Sequence, residues 1–237
     1  MYARALAALV LALPFATACS HQLEEVPASL APALSAAERD AGWRMLFDGV
    51  TLAGWHSFHG TATTGWAVHD GAITRVGEGA DLVTAAEYTS FELALDWKVA
   101  PGGNSGIIYR VADSGGATYV TGPEMQVLDD ALHPDGKSRL TAAGSVFAIY
   151  PAPAGVVKPA GEWNAARLLV NGNHVEHWLN GVRMVAYELG SADWAQRVAA
   201  SKFRTMPGYG RSPVGHIALQ NHGDTVAFRN IRLRVLP

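Results

Sequence analysis

The chain holds a single cysteine in 237 residues, at position 19. That excludes an internal disulfide, a cysteine-based zinc centre and a thiol nucleophile anywhere in the body of the chain. Charge is sparse too: 18 Lys and Arg stand against 21 Asp and Glu, for a formal net charge of -3. The basic residues form no run or cluster, so nothing in the sequence recruits nucleic acid. The one sustained apolar run, Ala5 to about Ala18, is too short to span a bilayer as a stable helix. No GK[ST] phosphate loop, GxSxG nucleophile motif or Ser-His-Asp order is present. What is present is apolar material, 49% of the chain, enough for one large core. The partner expected of such a chain is a neutral or small molecule.

The first segment carries an address. MYARALAALVLALPFATACS has one basic residue, Arg4, then the apolar run, then Ala16-Thr17-Ala18-Cys19. This is the form of a secretory signal, and small residues before a Cys resemble a bacterial lipobox. Residues 1–19 therefore read as a lipoprotein-type signal peptide with Cys19 as the lipidated residue. The mature protein is expected to be exported and anchored at the periplasmic face of the outer membrane. It would touch the membrane only through that lipid. Residues 20–40 are rich in Ala, Pro and Ser and carry no aromatic side chain, so they read as a tether. SAAERDAGW adds a short helical turn before the folded domain, placed at 41–237.

The domain reads as β. FELALDWKV (91–99) alternates Phe91, Leu93, Leu95, Trp97 and Val99 with polar residues, the pattern of a strand with one core face. Asp70-Gly71 marks a tight hairpin within 66–74. Two Asn-Gly pairs divide 167–189 into three successive antiparallel strands. NSGIIYRV (104–111), GPEMQVLDD (122–130), GHIALQNH (215–222) and FRNIRLRVL (228–236) add further strands. Only 191–203 looks helical, with Ser191 as N-cap and Trp194 and Val198 on one face. Many short strands with turns between them predict an all-β sandwich or jelly roll with one short helix.

Alternation then sorts the polar residues. In 104–111, Arg110 and Ile108 oppose Ile107 and Tyr109. In 122–129, Glu124 and Gln126 oppose Met125 and Val127. In 215–222, Gln220 and His222 oppose Ile217 and Leu219. If the apolar sides make the core, Arg110, Glu124, Gln126, Gln220 and His222 point away from it. Long hydrogen-bonding side chains of this kind suit sugar hydroxyls. An exposed, solvated sheet face accounts for the same pattern. Asn104 belongs at the rim of such a floor. Trp178 reads as a sugar-stacking platform or a rim aromatic. His174, Glu176 and His177 do not ligate a metal together, because on a strand His177 faces the other way. Asp129 and Asp130 can cap local backbone amides.

LFDGVTLAGW (46–55), WAVHDGAI (66–73), DLVTAAEYTSFELALDWKVAPGGNSGIIYR (81–110), GPEMQVLDD (122–130), KPAGEWN (158–164), VEHWLNG (175–181) and GHIALQNHGDTVAFRNIRLR (215–234) together resemble the 3-keto-disaccharide hydrolase family. Its domain is also described as a 3-keto-glucoside 1,2-lyase and hydratase. The resemblance covers about Trp43 to Pro237. It implies a concanavalin A-like jelly roll with its sugar site on the concave sheet, and a small oxidised saccharide as substrate. Family members often carry Asp where this chain has Asn221.

A glucoside oxidised at C3 has an acidified C2 hydrogen, and loss of that proton lets the C1 oxygen leave by elimination. Water can then add across the new double bond. The reaction needs a base near C2, an acid near the leaving oxygen and a donor near the C3 oxygen. Glu124 and His222 are the candidate base and acid, in either order. Arg110 or Gln126 would hold the C3 oxygen, and Asn104, Gln220 and Asp129 would position the sugar. No cofactor is evident; a divalent ion is compatible with the chemistry although no metal motif is present. Two rivals stand beside this reading. A non-catalytic lectin-like module would use the same floor and Trp178. A laminarinase-like glucanase would need carboxylates where Gln126 stands and a Glu where Asp129 stands.

Overall fold

A computed structural model of the protein describes residues 33–237. The expected signal segment, Cys19 and the expected tether up to residue 32 lie outside the described residues. Five short strands come first: β1 (Arg44–Met45), β2 (Trp55–Ser57), β3 (Trp66–His69), β4 (Ala72–Arg75) and β5 (Leu82–Thr84). Then come β6 (Phe91–Val99), β7 (Asn104–Val111), β8 (Glu124–Leu128), β9 (Asn164–Asn171), β10 (His174–Leu179), β11 (Val182–Glu188), β12 (His216–Leu219) and β13 (Val226–Val235). Helices α1 (Ala36–Asp40), α2 (Thr118–Thr121) and α3 (Ala192–Ala200) join them.

The strands make two antiparallel sheets. The larger runs β11-β10-β9-β6-β13-β4-β3, with β1 added to β13; the smaller runs β2-β5-β12-β7-β8. Their inner faces close over one core. Phe91, Leu93, Leu95, Trp97 and Phe228 enter from the larger sheet; Ile107, Tyr109, Met125, Val127, Ile217 and Leu219 enter from the smaller. This is the jelly-roll sandwich expected from the alternation. The turn chemistry holds as well. Asp70-Gly71 and Asn180-Gly181 both have positive φ at both positions, the backbone of the tight hairpin turn.

The predicted helix forms as α3, capped by Ser191, whose hydroxyl accepts from the Trp194 amide. It ends at Ala200, short of the predicted 203, and Lys202–Thr205 form a separate 3₁₀ turn. The turn expected from SAAERDAGW forms as α1, with a complete capping box between Ser35 and Glu38. Glu38 also meets Arg232 of β13 at 3.2 Å, so this end of the tether lies against the sandwich.

The open edge of the sandwich is sealed by aromatic rings. Tyr150, Tyr187, Trp194, Tyr209 and Phe203 stack in sequence, with centroid spacings of 4.9, 5.3, 5.7 and 4.0 Å. Trp194 anchors α3 into this column. Trp194→Ala should cost about 3–5 kcal/mol of unfolding free energy by urea titration, the range for truncating a buried large aromatic. A loss below about 1 kcal/mol would mean that the column does not hold the edge.

Candidate functional site

β12, β7 and β8 are neighbours in the smaller sheet, so the polar residues predicted to share a face do come together. Ile108 pairs with Glu124, Gly106 with Gln126 and Asn104 with Leu128. The Gln220 amide donates to the Gly106 carbonyl at 2.9 Å. Asn104, Glu124, Gln126 and Gln220 thus surround Gly106 on the outer face of this sheet. Val83, Ile108, Val111, Ala218 and Phe58 form an apolar patch beside them.

The floor is not open. Glu124 is 5% exposed and Gln126 1%. The segment from Ser138 to Tyr150 folds over the free edge of β8. The Gly144 amide donates to the Gln126 carbonyl, the Gln126 amide to Ser145, and the Phe147 amide to the Glu124 carbonyl. The Gln126 side chain donates to the Thr141 carbonyl. These bonds close the sheet edge and bury the polar side chains beneath. The bland reading of a solvated outer face is therefore overturned.

Glu124 fits because residue 106 is glycine. A Cβ at position 106 would stand 2.2 Å from a Glu124 carboxyl oxygen. Among the described residues no group hydrogen-bonds the carboxyl, and burial pushes its pKa up to about 8. Lys202 pulls the other way; the charges of Asp81 and Asp135 add to the rise. Glu124 is thus largely protonated at neutral pH. Around it, Asn104 Oδ1, Gln126 Oε1 and Gln220 Oε1 are buried without partners. Unpaired buried acceptors are rare and costly, and these three lie on one face around one carboxyl. Donors brought by a ligand's hydroxyls would satisfy them.

His222 stands close by, but not on the strand. β12 ends at Leu219, and the chain turns away after Gln220 because Asn221 is tied down. Its amide donates to Asp81 Oδ1 at 2.8 Å, and its side chain bonds Arg75 and the Gly77 carbonyl. His222 is exposed on the wall of a cavity of about 290 Å³, together with Gln220, Asp81, His59, Thr118 and Tyr119. Asp81 was not singled out as a site residue from the sequence. It accepts from Thr118 and Asn221, and burial raises its pKa, opposed by the charge of His222. Asp81 and Asn221 lie 140 positions apart, and no local spacing reveals the pair.

Three predicted site residues lie elsewhere. Trp178 sits on the outer face of the larger sheet, on the far side of the sandwich from Glu124. There it bonds Glu176 at 2.7 Å and is covered by Arg167. The role of a shared stacking platform is thereby corrected. Asp129 uses both carboxyl oxygens on backbone amides, those of Gly102 at 2.7 Å and Ala131 at 3.1 Å, so it ties the Gly102–Gly103 turn to β8. Arg110 leaves the floor because β7 bulges. His216 pairs with Val111 but Ala218 with Ile108, and Arg110 takes φ +54°. The bulge keeps Ile108 and Val111 on one face and sends Arg110 to the sandwich end, where it donates to the Gly172 carbonyl.

Metal ligation is not built into these residues. Among the described residues no three His, Asp, Glu or Cys side chains converge as a ligand set. His177 is fully buried, bonded to Tyr109 and the Gly144 carbonyl, while His174 and Glu176 face outward. Burial holds the His177 pKa down at about 4, so it is neutral.

Glu124 gives a measurable signature. Its native pKa lies above the usual 4.5, so from pH 4.5 up to about 8 the unfolded chain ionises while the native chain does not. Native stability is therefore lost as pH rises through that window, by up to about 1.4 kcal/mol per unit from this group. Glu124→Gln cannot ionise. Its stability relative to the parent should climb steadily between pH 5 and 8 in urea titrations. A difference independent of pH would show that Glu124 is ionised in the native state.

Residues 42–234 match the family described as the 3-keto-alpha-glucoside-1,2-lyase-like domain. A 3-keto-disaccharide hydrolase of Bacteroides thetaiotaomicron is 34% identical, over 90% of this chain and 87% of its own. A solved protein of Parabacteroides distasonis, provisionally named a glycosyl hydrolase, is 35% identical with a TM-score of 0.82. The match covers 87% of this chain and all of that one. The carbohydrate-binding module CBM66 of Bacillus subtilis shares the fold at 14% identity and a TM-score of 0.50, over 76% of this chain and 95% of its own. The chain belongs to the family of 3-keto-alpha-glucoside-1,2-lyase-like domains.

Proposed function

We propose that the protein cleaves 3-keto-glycosides by acid/base elimination at C1–C2, with or without hydration of the product. The observation that carries this is Glu124: a buried, unbonded carboxyl, protonated near neutrality, ringed by unpartnered acceptors. The family membership and the hydrolase relative support a carbohydrate-active enzyme in the first place.

In this reading Glu124 is the acid. It gives its proton to the glycosidic oxygen as the C1–O bond breaks. The C2 proton goes to a base on the cavity side, where His222 and Asp81 stand together. The electron pair of the C2–H bond becomes the C1–C2 double bond, and the leaving alcohol carries the proton from Glu124. Hydration reverses the sense: water adds its hydroxyl at C1 and a proton returns to C2. Asn104, Gln126 and Gln220 offer acceptors to the sugar hydroxyls. Catabolism of oxidised saccharides, in a lipoprotein held at the outer membrane by Cys19, belongs to the same proposal; its support is the N-terminal sequence.

The test compares a 3-keto-disaccharide with its unoxidised parent, following free sugar and the conjugated keto-glucal by absorbance and mass spectrometry. Only the keto-sugar should be cleaved. Glu124→Gln and His222→Ala should lower kcat while sugar binding persists. Gly106→Ala, which displaces the Glu124 carboxyl, should lower turnover about 100-fold. Rapid cleavage of the unoxidised parent would sink the proposal. Sugar binding without cleavage would make the chain a lectin-like module.

A further inference from the structure

A second cavity holds none of the residues assigned above to acid/base chemistry. It lies at the end of the sandwich, has a volume of about 590 Å³, and is walled by α3, the Lys202–Arg211 segment and the Leu189–Gly190 turn. Three arginines line it, Arg110, Arg204 and Arg211, and no Asp or Glu does. The whole chain carries a net negative charge, so this is a local concentration of positive sign.

Arg110 is the unusual member. It is 3% exposed, and a buried guanidinium is normally matched by a carboxylate. Among the described residues Arg110 has no ion pair. Its single hydrogen bond goes from Nη2 to the Gly172 carbonyl, and its Nε is buried with no acceptor. A guanidinium has five donors in a planar fork that fits a carboxylate by two parallel bonds. Val198, Met206, Pro207 and Pro213, all at least partly exposed, supply apolar wall beside it, over the buried rings of Trp194 and Phe203. A cavity of this size is within the usual range for small-molecule sites.

We propose that this cavity binds a small organic carboxylate, the carboxylate held by Arg110 and the body against Val198, Met206 and Pro207. Aryl acids and sugar acids share that chemistry. Arg204 and Arg211, both exposed at the mouth, attract the anion and do not contact its body. The inference is separate from the glycoside chemistry and does not rest on it.

The test is titration of the folded domain with benzoate, glucuronate, benzamide and inorganic phosphate, followed by calorimetry and by tryptophan fluorescence. Benzoate or glucuronate should bind saturably, and the tighter of the two identifies the source. Benzamide should bind at least about tenfold more weakly, since it lacks the charge. Arg110→Met should weaken carboxylate binding at least about tenfold. Ala199→Glu places a negative charge on the cavity wall from an exposed helix position and should do the same. This second variant keeps the test decisive if Arg110→Met fails to fold. No saturable binding of either carboxylate would overturn the proposal. So would equal binding of benzamide, binding unchanged in the folded variants, or phosphate binding more tightly than both acids.

Discussion

Glu124 has room for its carboxyl only because residue 106 has no side chain. The two residues stand on adjacent strands and the same face, and a methyl group at 106 would occupy the place of the carboxyl oxygen. Everything distinctive about the outer face of the smaller sheet follows from that fit. The carboxyl lies against the backbone of β7 at Gly106, largely buried and without a protein donor. Burial therefore falls on the ionised form, and the proton stays on. The strap over β8 completes the enclosure through three backbone hydrogen bonds of its own. Sheet register, a missing side chain and a sealed edge act together to set the protonation state of one group.

The two ends of β7 serve different surfaces, and one bulge divides them. Up to Ile108 the strand keeps its alternation, and Asn104, Gly106 and Ile108 face outward. At Arg110 the backbone enters the left-handed region, a costly conformation for a residue with a side chain. The gain is twofold. Val111 returns to the outer apolar patch, and the guanidinium reaches the sandwich end beside the aromatic column. Tyr109, just before the bulge, joins His177 and Tyr187 in a buried hydrogen-bond cluster. Burial keeps the imidazole neutral there.

The elements with regular alternation were legible in the sequence. Phe91–Val99 and Asn104–Val111 form the strands read from the pattern, and the hairpins close at Asp70-Gly71 and Asn180-Gly181 because those pairs tolerate positive φ. Glu124, Gln126 and Gln220 were placed on one face by the same rule, and Asn104 at its rim. What failed was the extension of that rule through an irregularity. Nothing in NSGIIYRV announces a bulge at Arg110, since its cause is tertiary. His222 was misplaced for a related reason: β12 ends early because Asn221 is held by Asp81, Arg75 and Gly77, all distant in sequence. Trp178 was assigned to the right side of its own strand. The sequence does not say which sheet that strand joins, and the answer puts the ring on the far surface of the molecule.

The energetics of Glu124 bear on what the site is for. A carboxyl kept neutral by burial lowers native stability at every pH above its ordinary value, while glutamine in the same space would carry no such penalty. A binding floor gains little from that burden, because an amide offers a sugar both a donor and an acceptor with no ionisation to suppress. A proton that must leave at the right moment is another matter. An amide cannot deliver it, and an exposed carboxyl would already have lost it near neutral pH. Under the proposed elimination, the glutamic acid over Gly106, beside three acceptors left without partners, would hold a transferable proton at a cost in stability.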